Sequence, residues 1–109
     1  MNAQKVIDYF TEHEGKYLVV EEKVKLVEAS YISGLLDLVF EYNKQTLFIP
    51  INVYSDYLII EVPENLLVDE TVYIDNEKTL SLKLTEVLNN WVKKVKFTTS
   101  LSFTWSESW

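Results

Sequence analysis

The run Leu35–Val62, LLDLVFEYNKQTLFIPINVYSDYLIIEV, decides how the rest of the chain can be arranged. Apolar and polar residues alternate along it, the pattern of strands with one buried face. With Asn43-Lys44 as a two-residue turn, Tyr42 lies opposite Gln45, and Leu36, Leu38 and Phe40 lie opposite Ile51, Ile49 and Leu47. With Ser55-Asp56 as a second turn, Tyr54 lies opposite Tyr57, and Val53, Ile51 and Ile49 lie opposite Leu58, Ile60 and Val62. Both registers place the apolar residues on one side. A slip of one residue in either turn would send a whole set to the other face, so the agreement predicts a three-strand antiparallel meander over 35–62. Pro50 has no amide hydrogen to give to a ladder, and a bulge or broken pairing is expected there.

Before the meander, Asn2 is placed to cap a helix running to about His13, with Val6, Ile7 and Phe10 as its apolar stripe and Gly15 ending it. Tyr17 to Val27 reads as a strand, or two short strands with a kink near Glu21-Glu22, because its halves alternate out of phase; a bulge is expected. Ala29 to Gly34 reads as a small-residue connection. After the meander come a turn at Pro63-Glu64-Asn65, an unassigned apolar segment Leu66–Val68 and a brief strand at Thr71–Ile74.

Leu80, Leu84, Val87, Leu88, Trp91, Val92 and Val95 then recur at the spacing of one helical face. They predict a longer helix near 80–96, with Lys93, Lys94 and Lys96 in its last turn, where the helix dipole favours positive charge. Thr79 to Leu84 also alternates like a strand, which leaves the start of that helix open. The alternation of FTTSLSFTW, residues 97–105, predicts a final strand with Trp105 on its core side. Trp109 is expected to tuck back onto the domain. The sum is one compact α+β domain over 1–109, an antiparallel sheet with both helices packed on one face.

Composition removes several chemistries. There is no cysteine, so disulfides, thiolate nucleophiles and cysteine-ligated metals are excluded. Gly15 and Gly34 are the only glycines and form no phosphate-binding loop. His13 is the only histidine; adjacent residues of Glu12-His13-Glu14 on a helix do not converge on one ion, so neither a metal site nor a Ser/His/Asp triad is expected. No cofactor is expected. No apolar run approaches the length of a membrane span, and no basic region followed by an apolar run opens the chain. A soluble, cytoplasmic chain is expected.

The charge is uneven along the sequence. The net charge is −7, and all ten cations are lysine. Asp56, Glu61, Glu64, Asp69, Glu70, Asp75 and Glu77 fall in a stretch without lysine, and they account for the whole excess, because the remaining ten acids are matched by ten lysines. Direct nucleic-acid binding, which leans on cations that neutralise phosphate, is not expected. These seven acids, with Tyr54 and Tyr57 on the outward side of the meander, are the candidate partner-binding residues.

The expected function is a non-enzymatic interaction protein that inhibits or regulates a basic protein partner, of the nucleic-acid-handling or defence kind. In type it resembles small phage accessory, anti-defence and immunity proteins. A small-ligand or peptide module using a cleft between sheet and helix is the alternative. A hydrolase using Asp37 and Glu61, both opposite Pro50 on the outward face, is a third and weaker reading.

Overall fold

The computed structural model describes residues 1–20, 22–61, 71–92, 95 and 100–108. The order is α1 (Ala3–Glu12), β1 (Tyr17–Val19), β2 (Lys23–Ile32), β3 (Leu35–Tyr42), β4 (Gln45–Val53), β5 (Leu58–Glu61), β6 (Thr71–Ile74), α2 (Glu77–Val92) and β7 (Trp105–Ser106). The seven strands form one antiparallel sheet in the order β6-β5-β4-β3-β2-β1-β7. This is an α+β fold built on a meander.

The central registers are those the sequence predicts. Leu36, Leu38 and Phe40 lie opposite Ile51, Ile49 and Leu47, and Ile51 and Val53 lie opposite Ile60 and Leu58. Val62, Ile49's expected partner, lies outside the described residues. Asn43 and Lys44 both have positive φ, 49° and 64°, the mirror-image turn whose twist suits a two-residue hairpin.

Pro50 keeps its place opposite Asp37 without a bulge, and the pairing of β4 with β5 stops just short of it, at Ile51↔Ile60. Parity explains the difference. The Val53 amide donates to Gly34 on the β3 side and the Tyr54 amide to Tyr57 on the β5 side. Even-numbered positions of β4 therefore face β5 with their amides, and Pro50 is the one that has none to give.

Upstream, three expectations need correction. Tyr17 to Val27 holds two strands, the second of the two expected readings, but they are joined by a reversal and not a kink: β1 and β2 pair with each other, Leu18 opposite Val24. The bulge lies at Val27, where the pairing with β3 shifts between Leu26 and Glu28. Just beyond it, the Ala29 amide donates to the Glu14 carboxylate at 2.8 Å. Ala29 to Gly34 is not a loose connection either. β2 continues to Ile32, and Ser33-Gly34, with φ of 51° and 82°, is a second tight hairpin turn.

Both helices lie on one face. Val6, Ile7 and Phe10 of α1 and Leu80, Leu84, Val87 and Leu88 of α2 join the inward residues of β1 to β6 in one hydrophobic cluster. The Asn2 side chain accepts from the Lys5 amide at 3.2 Å and caps α1. Asn76 does the same for α2, accepting from the Thr79 amide at 2.8 Å, so that helix starts at Glu77 rather than near residue 80. Thr79 to Leu84 is helical despite its alternation. Lys93, Lys94 and Lys96 lie outside the described residues, as do residues 63–68 and Trp109.

Within α2, Ser81 is completely buried and its hydroxyl has no hydrogen-bond partner among the described residues, while its carbonyl accepts from the Thr85 hydroxyl at 2.7 Å. An unsatisfied buried hydroxyl costs stability and alanine is the better helix former. Ser81→Ala is therefore expected to stabilise the protein by about 1 kcal/mol, read as a higher midpoint in urea unfolding.

The final strand is far shorter than its alternation implies. Residues 97–99 lie outside the described set, residues 100–104 are not strand, and β7 has two residues, paired with β1. The Ser102 amide donates to the Ser100 carbonyl at 2.7 Å, a local turn of the kind that serine-rich segments favour over a ladder. Beyond that turn, side-chain contacts hold the chain to α1. Trp105 donates from Nε1 to the Tyr9 hydroxyl at 2.8 Å, and the His13 ring lies 4.6 Å from that of Tyr9 and 5.0 Å from that of Trp105. His13 is thus half-buried. Burial pushes the Tyr9 hydroxyl pKa up, against the opposing effect of its hydrogen bonds.

Candidate functional site

Because both described helices cover one side of the sheet, the other side presents its own residues. Ile32, Leu35, Asn52, Ile59 and Tyr73 form one row across five strands. Ile32 and Tyr73, at its two ends, are 72% and 60% exposed, and Phe48, further along the face, is 61% exposed. Such residues would be core if a helix lay over them.

The end of this face beside the β4–β5 turn carries a row of rings. Tyr54 stacks on Tyr57 with centroids 4.6 Å apart and planes 11° from parallel, and Tyr57 lies 4.9 Å from Tyr73. Those separations match the roughly 4.8 Å between adjacent strands. Tyr54 follows β4, Tyr57 precedes β5 and Tyr73 belongs to β6, where its direct partner is Ile59 and Tyr57 its diagonal neighbour, so three adjacent strands each contribute one ring to this end. Tyr54 and Tyr57 are the tyrosines singled out from sequence; Tyr73 was missed there. Its outward position between Val72 and Ile74 is visible in the alternation, but its neighbour across the sheet is not.

The acidic candidates separate. Asp56, in the β4–β5 turn, and Asp75, directly after β6, are exposed and lie at the same end as the three rings. Glu61 is at the opposite end of β5, opposite Thr71. Glu77 opens α2 and pairs with Lys5 of α1 at 3.4 Å, on the helical side of the molecule. Glu64, Asp69 and Glu70 lie outside the described residues. Asp37 lies opposite Pro50, while the ladder between β4 and β5 ends before Glu61.

A concavity of about 750 Å³ lies at the end of the sheet bearing the Asn43-Lys44 turn. It is lined by Tyr17 of β1, Glu22, Lys23, Lys25 and Val27 of and before β2, and Glu41, Tyr42, Asn43 and Lys44 of the β3–β4 hairpin. No described helix contributes to it, unlike the sheet–helix cleft expected for a ligand. The Lys23 and Lys25 ammonium groups lie 5.5 and 5.6 Å from the centroid of the Tyr17 ring. Desolvation and the neighbouring Glu22 carboxylate, which accepts from its hydroxyl, raise the Tyr42 pKa. The sequence offered no signal for this grouping, since it depends on the β1–β2 hairpin and on the bulge at Val27.

Among the described residues no group of three or more His, Asp or Glu side chains could hold a metal ion, and no helix is long and apolar enough to cross a membrane. Fold and surface together define the class: an α+β meander with one helix-covered face and one open, tyrosine-bearing face. Comparison with protein-family models, curated proteins and solved structures finds no match to any of them.

Proposed function

We propose that the protein is a non-enzymatic interaction module that binds a basic protein partner through the tyrosine end of its open sheet face and regulates or blocks that partner. The observation that carries this reading is the row Tyr54-Tyr57-Tyr73 on the face the helices leave free, with Tyr54 and Tyr73 exposed, Tyr57 half-buried between them, and Asp56 and Asp75 beside it. Tyrosines are strong anchors at interfaces because they offer large, stiff contact surfaces with a polar tip. Rings already stacked on one another lose little freedom on binding. Ring faces and carboxylates both attract lysine and arginine, and a net charge of −7 favours encounter with a basic surface. Proteins that handle nucleic acid carry such surfaces.

The test begins with capture of partners by the tagged chain at low and moderate salt. The recovered partner is then titrated with the double variant Asp56→Lys, Asp75→Lys. The expected result is affinity reduced by about tenfold or more and a flatter dependence on salt. A partner whose affinity and salt dependence are the same for the variant and the parent would remove the electrostatic part of the proposal.

A further inference from the structure

Among the described lysines, those of the concavity and Lys78 of α2 have no described carboxylate partner, and only those of the concavity lie together. Lys5 and Lys16 pair with Glu77 and Glu107, and Lys83 pairs with Glu86. Lys23, Lys25 and Lys44 line the concavity, and none of them pairs with a described carboxylate.

Carboxylates are nevertheless at hand. Glu41 is the direct cross-strand partner of Lys25, yet the Lys25 ammonium lies over the Tyr17 ring. Glu22 precedes Lys23 in sequence, but it accepts from the Tyr42 hydroxyl while Lys23 also turns to Tyr17. Two ammonium groups are thus held at one ring, where their like charges repel. Lys44 adds a third cation from a turn position with φ of 64°, where glycine would be free of strain. Three cations outnumber the two carboxylates of the concavity, in a chain whose net charge is −7.

We infer that this concavity is a binding site for a small molecule bearing a phosphoryl group, held by Lys23, Lys25 and Lys44. A phosphoryl group carries more than one negative charge and several acceptor oxygens, so one group can bridge ammonium ions that have no counter-ion among the described residues. The site lies at the opposite end of the sheet from the three tyrosines and is independent of them.

The probe is inorganic pyrophosphate, titrated into the full chain at constant ionic strength and followed by amide ¹H–¹⁵N NMR. Saturable shifts are expected at Lys23, Lys25, Asn43 and Lys44, with a Kd on the order of 1 mM or lower. Lys23→Gln with Lys25→Gln should weaken binding about tenfold or more while leaving the remaining amide positions unchanged. Lys44→Gly should also weaken binding even though it relaxes the turn, which separates loss of a ligand contact from loss of fold. Lys78→Gln, an exposed lysine on α2, should bind as the parent does. Shifts that fail to saturate, parental affinity in both concavity variants, or an equal loss in Lys78→Gln would overturn the assignment.

Discussion

Replacing Phe40 by alanine is expected to destabilise the protein by about 3–5 kcal/mol. Phe40 sits on the central strand β3 and is 1% exposed, opposite Leu26 on one side and Leu47 on the other. Both neighbours are themselves buried and fixed by ladders, so the space left by the ring cannot readily close. Phe48→Ala is the control, because it is the same substitution on the next strand with the ring on the open face, 61% exposed. It should cost less than about 1 kcal/mol. Urea unfolding of the two variants gives both values from the shift in midpoint at unchanged slope. Equal costs would contradict the sidedness of the sheet on which both candidate sites depend.

Tyr57→Ala is expected to weaken the complex with the captured basic partner by about thirtyfold, a loss of about 2 kcal/mol. Tyr57 is the middle ring, in contact with Tyr54 on one side and Tyr73 on the other, so its removal also frees its neighbours. Tyr54→Ala and Tyr73→Ala each remove an end of the row and should cost less. Tyr57→Phe keeps the stack and loses only the hydroxyl, and it should keep most of the affinity. Titration calorimetry of the four variants against the parent reads this order directly. A Tyr57→Ala protein that binds as the parent does would place the interface elsewhere.

How much of this could be read beforehand differs from element to element. The meander could be, because the strict alternation of β3, β4 and β5 admits one register for each short turn, and that register requires the pairings Leu38↔Ile49 and Val53↔Leu58. The two helices could be, though not their limits: the Asn76 cap starts α2 three residues before its first predicted apolar position. The β1–β2 hairpin was not legible as a hairpin because β1 has only three residues and the phase changes where the chain turns back. The last strand was misread because alternation of Phe, Thr and Ser satisfies the pattern of a strand without supplying a second partner for it.

The candidate sites show the same division. Tyr54 and Tyr57 adjoin a local turn, so their pairing was legible. Tyr73 reaches them only through the β5–β6 ladder, and Lys23 and Lys25 reach Tyr17 only through the β1–β2 ladder. The seven acidic residues form one run in sequence, yet Asp56 and Asp75 stand together while Glu61 and Glu77 stand apart from them.

By itself, then, the sequence determined the α+β class, the central registers, the apolar face, the charge of −7 and the absence of cysteine chemistry. These depend on residue type and on contacts between near neighbours in the chain. The tertiary structure alone decided that three tyrosines line up on the face opposite the helices, and that lysines without a described counter-ion gather at the far end of the sheet. Each of those depends on which strands become neighbours. That is settled by burying the whole apolar face at once, not by any local pattern.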